Sequence, residues 1–107
     1  MIIVFSKIIG KSFSAVTIYP FIFLKNPDLK KDIVLLNHEN IHLAQQKELL
    51  WLPFFVWYLV EYIIKWLYYR QAYLAYKNIS FEREAYYFEH HVGYLHNRRP
   101  FSFIKFI

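Results

Sequence analysis

Asp32-Ile33-Val34-Leu35-Leu36-Asn37-His38-Glu39-Asn40-Ile41-His42-Leu43-Ala44 carries the pattern His-Glu-x-x-His inside a run, residues 33–52, that contains neither Gly nor Pro. The preceding Asp28-Leu29-Lys30-Lys31-Asp32, just after Pro27, supplies helix-start chemistry, so the pattern is predicted to lie mid-helix. Residues four apart in a helix sit one turn above each other, which aims the imidazoles of His38 and His42 at one point. Two such nitrogens are half of a tetrahedral zinc site. Glu39, turned by about 100° around the axis, is then placed to take a proton from a water at that point as a general base. A short motif of this kind also occurs on solvated helix faces. Here the neighbours Val34, Leu35, Leu36, Ile41, Leu43 and Ala44 are apolar and predict a buried helix. A buried histidine pair is costly without a partner, and a metal ion is the simplest one.

A chain of 107 residues is expected to form one domain, 1–107, with a modest core. Hydrophobic residues make up 57%, which excludes disorder, and the 22% aromatic share suits either a packed core or a boundary between water and apolar surroundings. With no Cys, disulfides and thiolate metal sites are excluded, so any metal is held by His and carboxylates. Thirteen basic against eight acidic residues give +5, which suits an anionic partner. No nucleic-acid-binding motif accompanies the charge, and a basic, Tyr- and Trp-rich chain fits a lipid surface at least as well, so nucleic acid is not expected. Met1-Ile2-Ile3-Val4-Phe5-Ser6-Lys7 is too short for a signal peptide and lacks a basic lead and cleavage site. A cytoplasmic protein, free or at the membrane surface, is the expectation.

The N-terminal run reads as a short strand. Gly10-Lys11-Ser12 signals a turn, and residues 13–25, rich in β-branched and aromatic side chains, read as one or two strands. Pro20 cannot donate to a ladder, so an edge or a break is expected there. An exposed edge beside the histidine helix could pair with an extended peptide; a plain hairpin covering the core is the simpler alternative. Pro53 ends the first helix near Trp51. A second helix is predicted over residues 54–70, where Glu61, Lys65, Tyr58, Tyr62 and Tyr69 form a polar stripe that argues against a transmembrane span. Such a helix packs on the first one or lies flat in a membrane interface. Residues 70–80 read as a connection, with Asn78 or Ser80 capping a third helix over residues 81–95 whose core face is Phe81, Ala85, Phe88, Val92 and Leu95. Asn97-Arg98-Arg99-Pro100 ends it, and the apolar residues 101–107 either close the core or touch a membrane.

A catalytic site needs a third protein ligand. The third helix offers Glu82, Glu84 and Glu89, then His90, His91 and His96. Acidic residues in a first helical turn are also favoured by the helix dipole alone. Adjacent His90 and His91 cannot both face one point, and His96 beside Arg98 and Arg99 reads as surface. His38-Glu39-x-x-His42 followed by Glu82-Arg83-Glu84-Ala85 resembles the gluzincin clan of metallopeptidases, over residues 36–86. The resemblance implies that Glu82 is the third ligand and that Ala85 lets the helices approach, as in the Glu-x-x-Ala-Asp pattern of membrane-linked branches such as the prenyl-protein proteases and the antibiotic-sensing receptor peptidases. Tyr86 stands where that pattern has Asp. It leaves open whether Tyr86, a backbone carbonyl or Gln46 takes the second N–H of a ligating histidine.

These readings combine into an α+β, minimal zincin-like domain: a small N-terminal sheet followed by three main helices. Its expected metal is Zn2+ on His38, His42 and Glu82, with Glu39 as general base for hydrolysis of a peptide or protein substrate. Tyr73 or Tyr76 is a candidate donor to the transition state. The alternatives are a membrane-surface binding or scaffold protein using Trp51, Trp57, Trp66 and Arg98-Arg99, or an inactive zincin relative. The sequence leaves the oligomeric state open.

Overall fold

The structure, a computed structural model, describes residues 2–4 and 14–107. It is a small α+β fold in which an N-terminal mixed sheet precedes the helices. Strands β1 (Ile2–Val4), β2 (Ala15–Ile18) and β3 (Phe21–Leu24) lie in the order β1-β3-β2, with β1 parallel and β2 antiparallel to β3. Pro20 sits in the turn between β2 and β3, after a cis peptide bond, so it withholds no ladder donor. Alternation in β3 buries Ile22 and Leu24 on one face. The turn predicted at Gly10-Lys11-Ser12 lies outside the described residues.

Helix α1 (Ile33–Glu48) begins where Asp32 accepts a bond from the Leu35 amide at 3.0 Å, after a 3-10 turn over Pro27–Lys31. It ends as Leu50 and Trp51 take left-handed φ values of 59° and 69°, which turns the chain sharply before Pro53 opens the next helix. Helix α2 (Leu52–Tyr69) stops at Arg70, also at positive φ. The segment 70–80, expected to be a plain connection, contains a further short helix, α3 (Ala72–Lys77), packed against α2.

The predicted third helix is broken. Helix α4 (Ser80–Phe88) ends early because the Asn37 side-chain amide approaches the carbonyls of Phe88, Glu89 and His91 at 2.8–3.1 Å, capping the helix end from α1. Val92, predicted to be core, is 69% exposed, and Tyr94 of α5 (Tyr94–Asn97) takes that place, stacked on Phe88. Neither Asn78 nor Ser80 caps α4. Ile79 is the cap residue, while the Ser80 amide and hydroxyl both donate to buried Glu61. A 3-10 turn over Ser102–Phe106 closes the core, with Phe103 wholly buried against Trp57 and Phe81.

Two apolar clusters result, one of Phe54, Ile79, Phe81 and Phe103, the other of Ile41, Ala85 and Tyr94. Between them α1 turns its polar side inward. Of its seven buried residues only Ile41 is apolar; the others are Asn37, His38, Glu39, His42, Gln45 and Gln46. The helix is buried as expected, but by its polar face, because the neighbours supply partners for each of those groups.

Candidate metal centre

The i, i+4 spacing on α1 brings His38 and His42 together, with Nε2 atoms 3.2 Å apart. Glu82, in the first turn of α4, adds Oε1 at 3.3 Å from Nε2 of His38 and 3.1 Å from Nε2 of His42. Ala85, one turn further along α4, is fully buried in the same cluster as Ile41, so a small side chain lets α1 and α4 approach. All three site residues are buried.

Hydrogen bonds fix what these atoms can do. The Gln45 amide nitrogen donates to the Phe81 carbonyl and to Glu84, so its oxygen, 2.8 Å from Nδ1 of His42, must accept. Nδ1 of His42 therefore carries the hydrogen, and Nε2 of the neutral ring presents a lone pair. Nδ1 of His38 faces the Glu89 carboxylate at 3.4 Å, which favours the same tautomer. Three lone-pair atoms thus converge on a triangle with 3.1–3.3 Å sides. A tetrahedral metal with bonds of about 2.0–2.1 Å holds its ligands about 3.3 Å apart. The triangle fits one face of that tetrahedron.

A convergence of lone pairs requires a cation, and without a metal it takes a proton. Burial acts to lower the His42 pKa, but the carboxylate of Glu82, helped by Glu39 and Gln45, outweighs it and raises the pKa to about 9. Burial opposes ionisation of Glu82, yet His42 and His38 hold its carboxyl well below the usual carboxylate range. The second Glu82 oxygen accepts from the Tyr58 hydroxyl at 2.8 Å. Burial and that carboxylate push the Tyr58 hydroxyl far above its ordinary value, so it remains a donor.

Glu39 belongs to the same buried group, with ligand-capable atoms of His38, Glu39 and His42 within 4.8 Å of one another. Its Oε1 accepts from Thr17 of β2 at 2.7 Å. Gln46 reaches the same strand: its amide nitrogen donates to the Thr17 carbonyl at 2.8 Å and its oxygen accepts from the Tyr19 amide at 2.6 Å. A cavity of about 250 Å³ opens over the site, bounded by Ala15, Val16, Tyr58 and Tyr76 as well as the His and Glu side chains. It shares Phe55, Tyr58 and Tyr76 with a neighbouring groove of about 900 Å³.

The other candidates resolve differently. Glu84 is buried but committed to Arg98, Tyr94 and Gln45. His90, His91 and His96 are exposed. Tyr73 lies in the neighbouring groove and not at the cavity, whereas Tyr76 lines it. Tyr86 does not take the place of an orienting Asp: its ring packs edge-on to His38 at 4.5 Å and its hydroxyl pairs with Tyr76. Gln46 binds the sheet instead of a histidine, and its neighbour Gln45 orients His42. Sequence reasoning missed Gln45 and Tyr58; the i+3 spacing of Gln45 from His42 was the available signal. No family model, no curated protein and no solved structure matches this chain. What the buried group can do is bind a metal ion.

Proposed function

We propose that this protein is a zinc-dependent peptidase of gluzincin type, with His38, His42 and Glu82 as ligands and Glu39 as general base. The observation that carries the reading is the triangle of two Nε2 atoms and one carboxylate oxygen, each pre-oriented by a further partner. No thiolate is available, and two imidazoles plus one carboxylate leave one position of a tetrahedron for water or substrate, as in hydrolytic zinc sites. Zinc, when bound there, supplies Lewis acidity toward a carbonyl oxygen and lowers the pKa of water.

The chain's own residues supply the rest. Glu39, held by Thr17, accepts a proton from the attacking water and returns one to the leaving amine. The Tyr76 hydroxyl, at the cavity wall, donates to the oxygen on which charge develops. Tyr58 donates to the second Glu82 oxygen and holds the first turned toward the histidines, which keep the carboxylate ionised. Strand β2, at the edge of the sheet among the described residues, contributes Ala15 and Val16 to the cavity, which supports binding of an extended peptide by strand addition. The Tyr-lined groove continues the cavity and gives a short chain the cleft that an enzyme needs.

The test is elemental analysis of protein purified without added metal, followed by turnover of a peptide library. One zinc per chain, lost in His38→Ala, together with cleavage that disappears in Glu39→Gln while zinc stays, is the expected result. Cleavage by Glu39→Gln at the wild-type rate overturns the general-base assignment.

A further inference from the structure

Helix α2 is inverted relative to a helix of a water-soluble core. Its buried residues are Phe54 and Glu61, and Tyr58, Tyr62, Lys65 and Tyr69 are half-buried on the same side. Glu61 is fully engaged there, accepting from the Ser80 amide at 2.9 Å, the Ser80 hydroxyl and Trp57 Nε1. The opposite side presents Val56, Leu59, Val60, Ile63, Ile64 and Leu67, each 49–58% exposed. The stripe runs from Val56 to Leu67, about 17 Å at 1.5 Å per residue. Exposed Trp51, Trp57 and Trp66 accompany it. An open, almost wholly apolar groove of about 620 Å³ extends it to Ile107. Patches of this extent mark protein or membrane contact sites.

We propose that α2 lays this outward face into the interface of an anionic lipid bilayer. A helix that pairs its acidic residue inward and shows aliphatic and indole groups outward, with the phenol of Tyr68 near its end, follows the rule for side chains at the border of hydrocarbon and water. Among the described residues no single helix is long and apolar enough to cross a membrane; α1 and α2 pass that test only together, bent by 113°, and the buried face of α1 is the polar one that carries the histidines, so the contact is read as peripheral. Charge selects the lipid. The chain carries +5 overall, and Arg70, exposed at the end of α2 with its guanidinium over the Trp66 ring, flanks the stripe, whereas Glu61, the lone acidic residue over residues 49–80, is buried. That surplus attracts anionic headgroups, whereas a second copy docking on the same face would bring like charges together. The proposal needs no metal and stands apart from the peptidase reading.

Flotation of the full chain with phosphatidylcholine vesicles, with and without phosphatidylglycerol, tests it. The protein is expected to float with the phosphatidylglycerol vesicles, more weakly at high salt, with tryptophan emission shifted to the blue and quenched by brominated acyl chains. The double substitution Val60→Glu and Ile64→Glu places charges on the apolar stripe and should weaken binding about tenfold or more. Its far-UV circular dichroism and thermal melt should match wild type, which separates lost docking from lost folding. Flotation of the double variant equal to wild type, or no flotation with either vesicle, overturns the proposal. Equal flotation on both vesicle types removes the anionic selectivity. A dimer in solution that the double variant dissociates, without flotation of wild type, assigns the face to a second copy instead.

Discussion

The hydroxyl of Thr17 on β2 donates to Oε1 of Glu39 on α1 at 2.7 Å, tying the sheet edge to the residue that the proposed chemistry uses as a base. A carboxylate that spends one oxygen on a fixed donor leaves the other for water. Thr17→Val keeps the shape and removes the donor. Peptide turnover should fall by about tenfold, with zinc content unchanged. A variant as active as wild type would mean that Glu39 is oriented by something else.

Outer partners of metal-bound histidines typically contribute about 10–100-fold in affinity. Gln45→Leu removes the acceptor for His42 Nδ1, and Glu89→Gln weakens the one near His38. Competition against a chromophoric chelator should show zinc affinity lowered within that range for each variant, and lost in Glu82→Ala. Zinc binding by Gln45→Leu at wild-type strength would rule out the tautomer argument.

Protons and metal compete for the same lone pairs. With His42 at about 9 in the metal-free protein, zinc entry at neutral pH must expel its proton. Calorimetry in buffers of different ionisation enthalpy should register about one proton released per zinc at pH 7. Without metal, the raised His42 pKa contributes stability that is fully present below its ordinary 6.5 and is lost as pH rises through about 9. The lowered Glu82 pKa contributes stability present above its ordinary 4.5 and lost as pH falls. The metal-free protein should therefore be most resistant to urea between those two ordinary values, and chelator-treated samples denatured across pH provide the check.

Arg98 bridges two helices, binding both oxygens of Glu48 at 2.9 Å and contacting wholly buried Glu84. Burial alone would lower the Arg98 pKa, but Glu48 and Glu84 hold it above its ordinary value. Arg98→Ala strands a buried carboxylate and should cost about 3–5 kcal/mol. Arg98→Met combined with Glu84→Gln should cost less, because the wholly buried Glu84 is no longer left charged and only part-buried Glu48 loses its partner. Thermal melts of the two proteins compare these outcomes directly.

The histidine helix, its start at the end of the stretch Asp28 to Asp32, the Pro53 boundary and the pairing of His38 with His42 were legible because each depends on spacing of a few residues. Glu82 was reached through a resemblance, and the geometry brings it to the histidines. What the sequence concealed depends on distant partners. Asn37, fifty residues earlier, ends α4 by capturing its carbonyls, so the apolar period through Val92 misled. Ser80 looks like a cap, yet buried Glu61 claims it. The polar stripe of α2 was visible, but amphipathic spacing does not state which side meets the protein.

Gln46 spends both ends of its carboxamide on the outer border of β2, at the Thr17 carbonyl and the Tyr19 amide. One side chain thereby imitates the neighbouring strand that the sheet lacks at that point among the described residues. It acts as a buffer stop: a foreign segment zipping along from Ala15 runs out of free backbone at Thr17. Under the proposed strand addition a guest peptide is held to a short register over the histidines, and this border of β2 denies copies of the chain a continuous seam for fibre growth.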